Sequence, residues 1–326
     1  MAIRGLIVAA ALAAVMVSGG ANAAVQMGVC PFGLVATAPD GHANGISHAA
    51  FERTVYWNDN QPVRWVIVDT HGGGDGYQRG SIQVQTAAGG EWSSVATWAA
   101  TKTTANTGML FDLGVNATSG VKVVADAMTP ENDPDSNRWL SRIAHVDYLL
   151  EDPGVNLAAG ATRDVANAYG AKAIGTPTSA PWGPENLFDG LDWGSGTYWR
   201  DDTAGEHYCG VVFDSPVTVA GIRFNLDTSN NFSLHSWKDF DLQVLLPGGN
   251  WENPADWQTV GTAAATDPFY WVDMGNMEVL GIRCYGDDPD AVRIIAEMQV
   301  WSGAIPEPVT MSLLALGGLA LLRRRK

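Results

Sequence analysis

The chain has 326 residues, of which 46% are hydrophobic, and its formal net charge is −16 at pH 7. A polyanion of this strength repels the phosphates of nucleic acids and the head groups of anionic lipids, which excludes nucleic acid as a partner. Neutral partners such as glycans, or cations, suit this charge better.

The first residues have the layout of a secretory signal peptide. Arg4 supplies a positive charge, an uncharged apolar run follows over 5–17, and small residues end the segment. Ala21 and Ala23 fit the small-residue pockets of a signal peptidase, which predicts a signal peptide over 1–23 with cleavage after Ala23. The alternative is a membrane-spanning helix, but the apolar run is too short to remain as an anchor.

Strand-like alternation dominates the rest of the chain. Segments 81–85, 221–226 and 240–244 alternate apolar and polar residues with period two, and clusters of glycine and proline separate such runs. Sustained apolar stripes of helical period are missing. The pattern therefore predicts an all-β protein.

An internal repeat divides the chain into two copies. Short segments of the first half match segments of the second half in the same order. They are 68–70 with 226–228, 82–84 with 242–244, 92–95 with 257–260, 111–114 with 272–275, 121–123 with 282–284, 133–135 with 288–290, and 143–146 with 295–298. A repeat of this length predicts tandem domains and not a solenoid. We place a first, divergent β-sandwich at 24–152 and a second at 153–304.

Short motifs of the second copy resemble one known family. They are Asn-Leu-Phe-Asp-Gly at 186–190, Tyr-Trp-Arg at 198–200, Val-Val-Phe-Asp at 211–214, Trp257, and the closing strand 295–301. In these segments the copy is similar to the discoidin-like, coagulation-factor C-type family, whose fold is a galactose-binding-like jelly-roll sandwich found also in many carbohydrate-binding modules. The resemblance implies two tandem jelly-roll sandwiches, of which the first has diverged.

The same resemblance implies a calcium site in the second copy. In that family an opening Asp-Gly loop and a closing glutamate often enclose the ion, which points to Asp189, Asp192 and Glu297 as ligands. Oxygen ligands from a loop bent at glycine suit calcium. The alternative is a capped loop in which Glu297 bonds to backbone amides. His145 stands where Glu297 does in the second copy, so we expect no calcium in the first.

Sugar binding by such sandwiches uses loops at one end. Aromatic rings there pack on the apolar face of a sugar, and polar groups bond its hydroxyls. Four residues in predicted loops have these properties and are our candidate ligand contacts: Trp193, Arg200, His235 and Trp237. The alternative is structural cover, because the chain has 13 tryptophans and most of them must pack in cores.

Three cysteines in an exported chain allow one disulfide. Cys209 and Cys284 lie in strand-like segments of the second copy, so they form either a disulfide or two buried free thiols, and Cys30 is left over. No metal-ligand spacing, GxSxG elbow or HExxH motif occurs, and the histidines are scattered. We therefore predict that the protein is not an enzyme.

The last segment, 305–326, joins Pro306-Glu307-Pro308 to an apolar run and a basic end. A helix over the run would span about 20 Å, less than the ~30 Å hydrocarbon core. In all three parts the segment resembles the PEP-CTERM sorting signal of Gram-negative bacteria, on which an exosortase acts. An ordinary short tail anchor would explain the helix and the charges but not the tripeptide. The tail implies transient membrane contact.

These features together predict an exported protein of the cell envelope, cell surface or extracellular space. Its predicted function is non-catalytic recognition of a glycan or extracellular polysaccharide, with calcium as a structural cofactor of the second copy. The alternative function is that of a structural or adhesive matrix protein without a specific small ligand.

Overall fold

The computed structural model describes residues 24–38, 51–56, 62–70, 79–99, 108–117, 119–125, 143–176, 181–191, 198–202, 205–226, 236–287 and 293–304. The predicted signal peptide and sorting tail lie outside these residues, and so do Asp192, Trp193 and His235. No helix in the described part of the chain is long and apolar enough to span a membrane.

The described residues form strands and two short 3-10 turns, Pro184–Leu187 and Pro254–Asp256. The strands are β1 (Gln26–Met27), β2 (Leu34–Ala38), β3 (Phe51–Tyr56), β4 (Val63–Thr70), β5 (Arg79–Gln85), β6 (Ser93–Ala99), β7 (Met109–Ala117), β8 (Gly120–Ala125), β9 (Ile143–Leu149), β10 (Ala171–Gly175), β11 (Trp199–Asp201), β12 (Glu206–Asn225), β13 (Asp241–Leu245), β14 (Trp257–Thr262), β15 (Phe269–Asp287), β16 (Arg293–Ile295) and β17 (Glu297–Trp301). The prediction of an all-β fold is confirmed.

The first half is built from two four-stranded antiparallel sheets. One has the order β2-β9-β4-β7 and the other the order β3-β8-β5-β6. Alternation along the strands sends Val66 and Val68 of β4 into a common core with Ile82 and Val84 of β5. Ile67 of β4 belongs to a separate apolar cluster on the opposite face of its sheet.

Two long strands organise the second half. β12 has 20 residues and β15 has 19, and they pair along their length with register shifts between Val212 and Val217 and between Val219 and Gly221. The early part of β12 also pairs with β10 and its late part with β17. β13 pairs with the late part of β15, and β14 with β13. Each long strand therefore contributes to both layers of this sandwich.

Strand pairing agrees with the internal repeat in the sequence. In the first half β4 lies between β9 and β7, as the late part of β12 lies between β17 and the early part of β15. The order β3-β8-β5-β6 has its counterpart in β12-β15-β13-β14. The two halves are thus copies of one topology.

The two halves pack through the outer faces of their inner sheets. An apolar cluster there joins both halves and consists of Phe32, Ile67, Leu149, Ala220, Trp271 and Trp301. β1 lies within the range predicted for the first sandwich, 24–152, but pairs with Val272 and Asp273 of β15, and the N–H of Gly28 donates to the carbonyl of Trp271 at 2.9 Å. The domain boundaries stay predictions, but by its pairing β1 extends a sheet of the second half.

An ion network is buried in the same interface. The Arg223 guanidinium donates from Nε to Asp147 at 2.8 Å and from Nη1 to Asp69 at 3.0 Å, and all three residues are at most 1% exposed. Asp147 also bonds His145 at 2.8 Å and accepts from Trp271 Nε1 at 3.2 Å. Burial opposes ionisation of Asp147, but His145 and Arg223 outweigh it and hold the pKa of Asp147 well below its usual range. The network therefore links the halves through paired charges.

Gly108 is required by this packing. Its φ of +64° favours glycine, and its N–H donates to Asp69 Oδ1 at 2.7 Å. A Cβ at this position would lie 1.5 Å from Nε2 of Gln299, which belongs to the second half. A side chain here would displace Gln299.

Candidate functional site

Arg200 lies on β11, where it is paired with Ile294 of β16. Its guanidinium Nε donates to the two carboxylate oxygens of Asp202 at 2.7 and 2.9 Å. The guanidinium carbon lies 4.9 Å from the ring centroid of Trp182. The side chains of Arg200 and Asp202 are 29% and 44% exposed. These residues, Trp182, Arg200 and Asp202, form a partly exposed surface cluster that we call the Arg200 cluster.

Hydrogen bonds hold the Trp182 loop against β11. Asn186 Nδ2 donates to the backbone carbonyls of Pro181 and Tyr198 at 2.7 and 3.0 Å, and the backbone N–H of Arg200 donates to the carbonyl of Trp182 at 3.4 Å. The hydrogen bond to Asp202 raises the pKa of Arg200, so its positive charge is secure. Trp182 is not among the contacts that the sequence predicts, although its position between a proline and a glycine is a usable signal.

Trp237 is placed in the core and not on a binding surface. It is 4% exposed, and its ring stacks on Trp199 at 5.5 Å and meets Phe240 edge-on at 5.7 Å. Gly286 leaves room for it, since a Cβ there would lie 2.9 Å from the Trp237 ring. A buried ring has no face to offer a sugar, so the structure argues against this candidate contact. Because Trp237 lies in a predicted loop, the sequence does not indicate that its ring is buried.

Trp193 and His235 lie outside the described residues, and their candidate roles stay predictions. The described neighbour of His235, Ser236, bridges to Ile294 of β16. Ile294 is the residue that pairs with Arg200. Ser236 is therefore adjacent to β16, which in turn pairs with β11.

The predicted calcium ligands have contrasting surroundings. Asp189 is exposed and its Oδ1 accepts from the N–H of Leu191 at 2.9 Å, with Gly190 at φ +73°. Although the residue as a whole is exposed, neighbouring atoms shield its carboxyl group from part of the solvent, and this raises the pKa of Asp189 above its usual value. Glu297 is 2% exposed on β17 and pairs with Asn225.

These carboxylates alone do not make up the donor set of calcium, which takes six to eight oxygens. Strand alternation places Glu297 on the face of β17 that carries Gln299 and Trp301, towards the first half. Within the described ranges, no group of three or more His, Cys, Asp or Glu side chains is arranged to hold a metal ion. Since Asp192 lies outside them, the calcium site stays a prediction.

Cys209 and Cys284 face each other on neighbouring strands. They are direct partners in the β12–β15 ladder, and both are fully buried free thiols in the structure. Burial, together with the Cys284 thiol, raises the pKa of Cys209 well above its usual value. The two cysteines that the sequence suggests as a pair are thus neighbours in the structure. The disulfide between them stays a prediction. Burial also raises the pKa of Cys30, to about 12.

Comparison with known proteins shows similarity at the level of structure. No family model matches the chain, and no curated protein matches it. The structure is similar to a fucolectin from striped bass (Morone saxatilis) serum, with 10% identity, a TM-score of 0.37, and coverage of 80% of this chain and 84% of that one. It is also similar to a fucose-binding module from Streptococcus pneumoniae, with 13% identity, a TM-score of 0.36, and coverage of 46% and 96%.

A chitosan-binding module from a Paenibacillus chitosanase/glucanase shows 21% identity, a TM-score of 0.33, and coverage of 45% of this chain and 98% of the module. The chain is thus structurally similar to a lectin and to carbohydrate-binding modules. With TM-scores this low, neither the ligands nor the binding residues of these proteins can be assigned to this chain. Its binding chemistry has to follow from its own side chains.

Proposed function

We propose that the chain is a non-catalytic glycan-binding protein and that the Arg200 cluster is part of its binding surface. The observation that carries the proposal is the partly exposed guanidinium held beside the Trp182 ring by Asp202. An indole ring can pack on the apolar face of a sugar, while the guanidinium and the carboxylate can bond its hydroxyls. The net charge of −16 favours neutral glycans over acidic ones.

The proposal includes export. The signal peptide over 1–23 is removed by signal peptidase, and the tail with Pro306-Glu307-Pro308 is recognised by an exosortase after transient membrane contact. The protein then acts at the envelope or cell surface of a Gram-negative bacterium, or in the extracellular space. An extracellular polysaccharide is the ligand that such a location makes available.

The alternative function is a structural or adhesive matrix protein. One observation favours it, namely the burial of Trp237, which leaves the second half with fewer aromatic rings for a sugar than the sequence predicts. The buried interface between the halves also suits a stiff spacer. Under this alternative the Arg200 cluster only stabilises its loop.

A glycan array probed with the full chain tests the proposal. We expect neutral glycans to bind, and we expect Trp182→Ala and Arg200→Ala each to weaken binding about tenfold, which corresponds to about 1.4 kcal/mol. Both residues are partly exposed and lie outside the apolar core, so circular dichroism and thermal unfolding should stay close to those of the parent chain. Calorimetry with the best glycan gives the affinities, with and without calcium.

Arg64→Ala is a matched control. Arg64 also pairs with an exposed carboxylate, Asp112, and lies 5.7 Å from the ring of Trp65, but it belongs to the first half. Equal losses for Arg64→Ala and Arg200→Ala would contradict the assignment of the surface. If the folded parent chain bound no glycan on the array, the result would favour the structural matrix alternative. A calcium-dependent affinity that Glu297→Gln removes would support the predicted calcium site.

A further inference from the structure

A cleft of about 580 Å³ opens between the two halves, and its described lining contains no residue of the Arg200 cluster. The N-terminal segment contributes Met27 and Leu34, β9 contributes His145, and the β14–β15 connection and the start of β15 contribute Thr266 and Phe269. Ligand pockets have volumes of about 300–1,000 Å³ and are frequent at domain interfaces. The cleft has the size and the location of a small-molecule site.

The inner wall of the cleft is held rigidly. His145 stacks on Phe269 with ring centroids 4.0 Å apart and bonds Asp147 through Nε2 at 2.8 Å. Asp147 is held in turn by Arg223 at 2.8 Å and by Trp271 at 3.2 Å. Side chains fixed in this way need no reordering when a ligand enters, which lowers the entropic cost of binding.

The lining combines apolar surfaces with hydroxyl groups. Phe269, Tyr270 and Leu34 offer apolar surface, and Thr37 and Thr266 add exposed hydroxyls at the rim. The hydroxyl of Tyr270, which also lines the cleft, can donate and accept hydrogen bonds. A pyranose ring matches this lining, because it has an apolar face and hydroxyl groups around its edge.

The charged residues that line the cleft favour neutral ligands over acidic ones. Asp147 and Asp267 line it, and no lysine or arginine is among the described residues that do so. Asp147 is already paired with Arg223, while Asp267 accepts from the N–H of Phe269 at 3.0 Å. His145, which also lines the cleft, is already paired with Asp147. An anionic ligand would therefore meet carboxylates and no unpaired cation among the described lining residues.

We propose that this cleft is a binding site for a neutral pyranoside, separate from the Arg200 cluster. The site uses residues from both halves, so it exists only when the two sandwiches are packed together. It does not depend on glycan binding at the Arg200 cluster, since the residues of the two surfaces do not overlap.

The test uses the full chain and saturation-transfer NMR with uncharged methyl glycosides of galactose, glucose, fucose and N-acetylglucosamine, and with galacturonic acid as the anionic probe. Ala264→Trp and Thr266→Trp each place a bulky ring at an exposed position on the cleft. Both should weaken binding of a neutral glycoside at least about tenfold. Ala87→Trp, at an exposed turn of the first half, is the matched control and should bind like the parent chain.

Arg200→Ala separates this proposal from the proposed function. Cleft binding should persist in that variant, whereas binding at the Arg200 cluster should weaken about tenfold. The proposal is overturned if none of the neutral glycosides binds the parent chain, or if both cleft variants bind as well as Ala87→Trp. Galacturonic acid binding as tightly as the galactoside would also overturn it.

Discussion

Arg223 joins the two halves through buried charges. Its guanidinium bonds two carboxylates from the first half although it belongs to the second, and Asp69 is 154 positions away in sequence. Burying an ion pair gives little net stability, because the charges lose their water. Removing one partner is costly, because the remaining charges stay buried without compensation.

We therefore expect Arg223→Ala to lower the free energy of unfolding by about 3–5 kcal/mol. Asp69 and Asp147 would then be two adjacent buried carboxylates that have lost their common cation. Urea unfolding followed by tryptophan fluorescence measures the change. Arg64→Ala removes an arginine from an exposed pair and should leave the midpoint nearly unchanged, because solvent screens that pair. Similar midpoints for the two variants would show that the buried network is energetically unimportant.

At the scale of the element, β1 shows how the N-terminal segment is tied to the second half. Only two residues form this strand, so its ladder with β15 is short. Met27 adds apolar contact, since it packs against the core of the second half and lies beside Gly261. Gln26, its neighbour, is exposed. Val25 packs against the same core, so the apolar contacts of Met27 and Val25 add to the short ladder.

Met27→Asp should release β1 while leaving the sandwiches folded. A charge would have to enter the apolar contact, which favours the undocked segment. Hydrogen exchange followed by mass spectrometry should show residues 24–30 exchanging about tenfold faster or more, which corresponds to a local change of about 1.4 kcal/mol. Gln26→Asp adds the same charge at an exposed position and serves as the control. Unchanged exchange in the Met27 variant would mean that the Met27 side chain contributes little to holding the strand.

The strands themselves were largely predictable from sequence, and the contacts between layers were not. Alternation placed 81–85 and 221–226 in strands, since the period of two reports directly on a sheet with a buried face. The repeat predicted a shared topology. The sequence does not reveal the burial of Trp237, because a position in a predicted loop says little about burial. It does not reveal the role of Arg223 either, because its partner Asp69 is distant in the sequence.

At the scale of the whole molecule, the sheets form four layers, and the charges lie between the inner two. This arrangement makes the contact between the halves sensitive to acid. The folded-state pKa of Asp147 lies below the ordinary value of about 3.9, so the ionised form favours the folded chain. The stabilisation is complete above about pH 5 and is lost as the pH falls towards the folded-state pKa.

Asp147→Asn should therefore flatten the acid side of the stability profile. Between about pH 5 and pH 2 the free energy of unfolding of the parent chain should fall more steeply than that of the variant, by up to about 1.4 kcal/mol per pH unit. The variant starts from a lower stability at pH 7, because Arg223 has lost one carboxylate. Asp112→Asn is the control; the pKa of Asp112 is also lowered by its arginine, but the pair is exposed, so the slope should change less. Chemical denaturation at a series of pH values measures how the free energy of unfolding of each variant depends on pH. If this dependence were the same for the parent chain and for Asp147→Asn, the buried carboxylate would not be the cause of the acid sensitivity.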